Sequence, residues 1–205
     1  MIQSAAAMSR SPQGAPMPTA RVAGFPGRGF LAMDLPGRIA IEKAAAVRVR
    51  AVSQADGERI QAFVRGLSLE SRRARFFSPI RELSSEQLER MTQMAYPEAV
   101  GLVAETADAT RQLVGIAQYA SDDEGPEFAV VVADAWQARG IGRRLVRQIV
   151  ALAGVAGFAA LRGFVLGSNA AMLALARSIG FTVVPDRDPT LVRVSKVLPR
   201  AIAAG

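Results

Sequence analysis

The chain has 205 residues, half of them hydrophobic, a formal net charge of +7, and neither cysteine nor histidine. Its length suits one domain with a tail; without cysteine there are no disulfides, thiolate metal sites or cysteine nucleophile, and without histidine there is no Ser-His-Asp triad, histidine-ligated zinc or histidine base. Acid–base chemistry therefore falls to Asp, Glu, Tyr or Lys, and the arginine excess either favours an anionic partner (nucleic acid, a membrane face, a phosphorylated cofactor) or is merely compositional.

Residues 1–45 are rich in Ala, Pro, Gly and Ser and carry little periodicity. They read as a disordered or loosely attached leader. The opening "MIQSAAAMSRSPQGAPMP" has no sustained apolar stretch, so no secretory signal is readable. Its arginine-bearing, acid-poor composition suits either a transit peptide or an ordinary flexible tail. No apolar run approaches the roughly 18 residues of a membrane span. A cytoplasmic location is expected, and the missing cysteine agrees with a reducing compartment.

Order is expected from about Val47. "VRVRAV" alternates like a half-buried strand. Ser53 is placed to cap a helix over "ADGERIQAFVRGL". "SLESRRARFFSP" reads as a basic helical turn closed by Pro79, and Ser84 with Gln87 forms a capping box for "SSEQLERMTQM". "EAVGLVAETA" and "RQLVGIAQYAS" then read as a hairpin around "DAT". "EFAVVVAD" is the next strand. The following helix puts Ile141, Leu145, Ile149, Leu152 and Ala156 on one stripe, with Arg143, Arg144 and Arg147 off it. "AALRGFVL" is a strand. "SNAAMLALARSIGF" is a helix capped by Ser168 or Asn169 and stopped by Gly180, and "FTVVP" and "TLVRVSKVL" finish as strands. The pattern predicts a mixed sheet with helices on its faces.

The junction "QARGIG", Gln137 to Gly142, stands between an apolar strand and a long helix. The first turn of a helix offers unpaired N–H groups and the positive end of the helix dipole. Gly140 and Gly142 allow close backbone approach. Arg139 and Arg143 add charge. Together these suit a pyrophosphate; the bland alternative is a glycine turn that merely starts an amphipathic helix.

"VVVADAWQARGIGRRLV" resembles the acyl-CoA-binding motif of the GNAT superfamily of N-acetyltransferases, Q/R-x-x-G-x-G/A, through Gln137, Gly140 and Gly142. "NAAMLALARSIGF", about thirty residues on, resembles the superfamily's next motif. The resemblance covers roughly Val47 to Pro199. Within the superfamily, "LSLESRRARFFSP", "LSSEQLERMT" and "MLALA" are similar to the bacterial protein-lysine acetyltransferase domains. Those are often fused to acyl-CoA synthetase or cyclic-nucleotide-binding modules, neither of which is readable in this sequence.

The resemblance implies a single α/β (α+β) domain over 46–205, with a central mixed, mostly antiparallel sheet and helices on both faces. It implies acetyl-CoA as co-substrate and no metal. The strand carrying the motif is expected to splay from its neighbour. The backbone of Val130, Val131 and Val132 would pair with the pantetheine arm, and the N–H groups of Ala138, Arg139, Gly140, Ile141, Gly142 and Arg143 would hold the pyrophosphate. Asn169 would reach the pantetheine arm or simply cap its helix. An amine would attack the acyl carbonyl directly. Deprotonating a lysine of pKa about 10.4 costs roughly 4–5 kcal/mol near neutral pH, so a base is useful.

Glu127, ten positions before Gln137, occupies the place of that branch's proposed catalytic glutamate. Its alternative is a solvated residue closing the acidic loop "SDDEGPE". The tyrosine acid of many relatives would stand seven positions after Asn169, where this chain has Ala176. Tyr96 and Tyr119 read as packing residues, and Trp136 as either a shield over the ligand or surface packing. The acceptor is expected to be protein lysine, or alternatively a small amine such as a polyamine or antibiotic; a non-catalytic CoA-binding module is the third reading. No membrane partner is expected, and no nucleic-acid partner either, because "SRRARFF" lacks the interleaved aromatics and fold context of a nucleic-acid module; that stretch reads as a dock for an acidic partner or the CoA 3′-phosphate, or as a solvated basic face. The sequence says nothing of the oligomer.

Overall fold

The computed structural model describes residues 39–41 and 44–199, with side chains from residue 47 onward. The first half runs β1 (Ile39–Ile41), β2 (Ala44–Ala51), α1 (Gly57–Gly66), α2 (Leu69–Phe76), α3 (Ser85–Thr92), β3 (Ala99–Thr106) and β4 (Leu113–Asp122). The second runs β5 (Gly125–Val132), α4 (Ile141–Val155), β6 (Ala160–Leu166), α5 (Ala170–Ile179), β7 (Thr182–Pro185) and β8 (Leu191–Val197). The sheet thus begins at Ile39, inside the stretch expected as leader; the leader expectation for residues 1–38, 42 and 43 lies outside the described residues.

One sheet takes all eight strands in the order β1-β2-β3-β4-β5-β6-β8-β7. Every neighbouring pair is antiparallel except β5 with β6. This is the mixed, mostly antiparallel sheet that the resemblance implies. Two apolar clusters show that helices cover both faces. One face packs Val49, Leu102, Ala117 and Tyr119 against the α4 stripe of Ile141, Leu145, Ile149 and Leu152. The other packs Val103, Ile116 and Val131 against Ile60, Phe63 and Val64 of α1 and Met91 of α3.

Local boundaries follow side-chain chemistry. Ser84 and Gln87 form the predicted capping box, with the Ser84 N–H donating to Gln87 Oε1 at 2.8 Å and the Gln87 N–H to Ser84 Oγ at 3.2 Å. Helix α2 ends at Phe77, whose φ of 54° turns the chain before Pro79 is reached. Ser53 opens a 3-10 turn, Gln54–Asp56, rather than α1 itself. The reason is Asp56, only 2% exposed. Its carboxylate must be paired, and it accepts from the Ser53 N–H at 2.9 Å and from Arg50 at 2.7 Å.

The parallel pairing of β5 and β6 has a single registered partner pair, Glu127 with Arg162. Beyond it the strands part, as the resemblance implies. Gly163 makes the closed end possible: a Cβ there would stand 2.8 Å from Phe128 Cε1 and 3.1 Å from the Phe128 carbonyl oxygen. Neither the ring nor the backbone can yield cheaply. Gly163→Ala is therefore expected to destabilise the protein by about 1–3 kcal/mol through overpacking. Thermal unfolding checks this; an unchanged Tm would show that β5 and β6 are not held together at this point.

Candidate active site

The divergence of β5 and β6 opens a cleft of about 1130 Å³. Its walls bring together Glu127, Val130, Val131, Val132, Gln137, Ala138, Gly140, Gly142, Arg143 and Asn169. Arg139 and Ile141 do not line it. The Arg139 guanidinium lies over the Trp136 ring at 5.0 Å, and Ile141 is 1% exposed and faces the core, so only its backbone could serve a ligand.

Between the end of β5 and α4 the chain adopts two left-handed conformations, Ala138 at φ 58° and Gly140 at φ 81°. The second is free of strain in a glycine, whereas the first costs an alanine about 1–2 kcal/mol. Such turns leading into a helix aim successive N–H groups at one point and make an anion cradle. Gly142 lies in the first turn of α4. Along the cleft, β5 beyond Glu127 has no registered partner on β6, which leaves backbone polar groups for an extended amide-bearing ligand. A pyrophosphate joined to a pantetheine arm fits both features.

A hydrogen-bond network ties this loop to α2. Asp134 accepts from the Ser68 N–H at 2.9 Å, the Ser68 hydroxyl at 2.7 Å and the Ser71 hydroxyl at 2.7 Å. Burial opposes the Asp134 charge, but these donors win and hold its carboxyl below the usual range. Gln137 Nε2 donates to Ser71 Oγ and to the Val132 carbonyl, both at 3.1 Å. Gln137 thus braces the loop against the end of β5 and the start of α2.

At the closed end of the splay, Glu127 is a mostly buried side chain, 14% exposed. Burial pushes its carboxyl pKa up; the Arg162 and Arg75 charges pull it back, while Asp122 and Glu124 push further up. Arg162 Nη2 lies 3.8 Å from Glu127 Oε2, outside hydrogen-bond reach. Arg75, from α2, also lines the cleft, and its buried Nε makes no hydrogen bond among the described residues. Gln118, one strand over on β4, likewise presents a buried and unbonded Oε1 there.

Tyr119 is fully buried, with its hydroxyl donating to the Pro97 carbonyl at 3.0 Å, and packs edge-on against Phe158; it is a packing residue. Trp136 lines the cleft. Asn169 caps α5, its Oδ1 accepting from the Met172 N–H at 3.0 Å. Ala176 is fully buried and carries no proton to give. The sequence reading missed Arg75, Gln118, Asp122, Asp134 and Arg162. Arg162 left a signal, a charge inside the apolar strand "AALRGFVL" that demands a buried partner, and Arg75 stood in the basic stretch "SRRARFF". Among the described residues no helix is long and apolar enough to cross a membrane.

Comparison with known proteins bears on this geometry. A family profile described as the acetyltransferase (GNAT) family matches residues 67–181. The acetyltransferase PA5475 of Pseudomonas aeruginosa is 33% identical over 146 residues, 70% of this chain and 77% of that protein. The crystal structure of the GNAT domain of S. lividans PAT superposes with a TM-score of 0.73 at 27% identity, covering 79% of this chain and 96% of that one. The structure of yncA from Salmonella typhimurium with its cofactor acetyl-CoA shares the fold, with a TM-score of 0.57 at 19% identity over 78% of this chain and 98% of that one.

Proposed function

The chain belongs to the GNAT family of acetyltransferases, an acyltransferase that uses acetyl-CoA as co-substrate, and from that premise we propose that its acceptor is the side-chain amine of protein lysine. The observation that carries this reading is the position of Glu127. It stands at the closed end of the splay, in the same cleft as the glycine loop. That is the place of the proposed catalytic glutamate in the protein-acetylating branch. The likeness to the GNAT domain of S. lividans PAT supports the same branch, as does Ala176 where many relatives have tyrosine.

Acetyl-CoA supplies the activated acyl group when bound between β5 and β6. The chain's own groups do the rest. The N–H groups of Ala138 to Arg143 bind the pyrophosphate, and the free edge of β5 at Val130 to Val132 orients the arm. Glu127 takes the proton of the incoming ammonium, directly or through a water, so that the nitrogen lone pair is available. Arg75 of α2 and Gln87 and Arg90 of α3 face the same cleft. The neutral amine attacks the acyl carbonyl directly, the amide C–N bond forms as the thioester C–S bond breaks, and CoA departs as its thiolate; no covalent enzyme intermediate is required, in keeping with a chain that has no cysteine.

The test is a mass-shift assay of the purified protein with acetyl-CoA, offered a cell lysate in one arm and a panel of polyamines and aminoglycosides in the other. Acetylated lysine peptides above the enzyme-free control support the proposal. Transfer to small amines alone replaces the acceptor, and CoA binding with no transfer in either arm leaves a binding module.

A further inference from the structure

Arg162 does more than fill a strand position. It is 11% exposed by side chain. Nη1 donates to the Gly125 carbonyl at 2.7 Å, and Nη2 donates to both Asp122 oxygens at 2.7 and 2.6 Å. One side chain of β6 thereby grips the end of β4 and the start of β5, at the one registered β5–β6 pair. The groups facing Glu127 come from three sides: Arg162 from β6, Asp122 and Glu124 from the β4–β5 turn, and Arg75 from α2. Glu124 is 72% exposed, with its Oε2 3.9 Å from Arg162 Nε, so solvent screens it.

We propose that Arg162 and Asp122 act together as a positioning pair for Glu127, with Asp122 holding the guanidinium 3.8 Å away so that the glutamate keeps a free lone pair. A bidentate arginine on Glu127 would occupy the oxygens that must accept the amine's proton and would favour the charged form strongly. Without Arg162, only the Arg75 charge would offset burial, Asp122 and Glu124, and the carboxyl would hold its proton more tightly. The pair places Glu127 between these limits. This rests on the reading of Glu127 as the base.

The signs are opposite for the two partners. Asp122→Asn removes the competing anion and frees Arg162 to swing onto Glu127, so the Glu127 pKa should fall. Arg162→Met removes the larger of the two cationic influences and leaves Arg75 alone against Asp122 and Glu124, so it should rise. Charges at this range move a carboxyl by about one pH unit or more. The measurement is a carbon-detected NMR titration of the Glu127 carboxyl in the full chain, beside the acidic limb of kcat/KM. Arg162→Lys, which keeps the charge, should sit closer to wild type than Arg162→Met. If Arg162→Met fails to fold, Asp122→Asn decides alone, since it leaves the bond to Gly125 in place. A Glu127 pKa that stays put in Asp122→Asn, or moves upward, overturns the proposal. A pKa that moves as expected while the kinetic limb stays still upholds the pairing and removes Glu127 as the base instead.

Discussion

Replacing Gly142 with aspartate is expected to weaken acetyl-CoA binding at least tenfold, a loss of about 1.4 kcal/mol or more. The reason lies in what surrounds the position. A β-carbon on Gly142 would meet Leu175 Cδ2 at 3.5 Å and Val132 Cγ2 at 3.6 Å, ordinary van der Waals contact. Nor is its backbone left-handed, so the fold itself tolerates a side chain. What the position should not tolerate is an anion in the first turn of α4, where the helix N–H groups and dipole would face the phosphate of the proposed ligand. Gly142→Ala should therefore unfold near the wild-type temperature, while Gly142→Asp loses ligand. Gly140 makes the contrast. Its φ of 81° penalises any L side chain whether or not ligand is present, although nothing lies within 4 Å of a Cβ there. Calorimetry on the folded aspartate variant decides the matter; unchanged affinity would remove this loop from the binding site.

The sequence carries the parts of this molecule that depend on near neighbours in the chain. The α4 stripe, the Ser84–Gln87 box and the glycine loop are local patterns, and the residues that make them lie within a turn or two of one another. The mixed sheet was legible from the order of strands and helices, and its mostly antiparallel character came with the family resemblance. The closed end of the splay was not. It depends on Gly163 meeting Phe128 and on Arg162 reaching Asp122, forty residues away, and no periodicity encodes such a meeting. The same holds for Asp134 with Ser68 and Ser71, where polar residues that read as ordinary caps and turns are joined across more than sixty positions. Local patterning made the glycine loop legible; the pairings that brace it and close the splay join residues far apart in the chain.

Glu127→Gln is expected to lower turnover by roughly 10²-fold or more, the scale of a positioned general base. An amine of pKa about 10.4 is almost wholly protonated near neutrality, so the rate depends on an acceptor for that proton. Histidine and cysteine are absent from the chain, Tyr119 is sealed in the core with its hydroxyl bonded to Pro97, and Ala176 has nothing to offer. Glu127 faces the cleft, and burial raises its proton affinity above that of an exposed glutamate, which makes it a better base. The sign of the pH dependence follows. The base works only when ionised, so activity should fall as pH drops through the raised Glu127 pKa, with an acidic limb above the ordinary glutamate range. Glutamine keeps the size and hydrogen-bonding reach but cannot take the proton, so that limb should vanish. Acetyl-CoA affinity should change little, because five residues of strand, about 16 Å, separate position 127 from the end of β5 and the glycine loop beyond it. Raising the pH toward 9 or 10 should restore part of the variant's rate, since the solvent then deprotonates the amine unaided. If the variant keeps near-normal turnover at neutral pH with its acidic limb intact, Glu127 is only a strand residue beside a buried ion pair, and the amine must arrive already neutral.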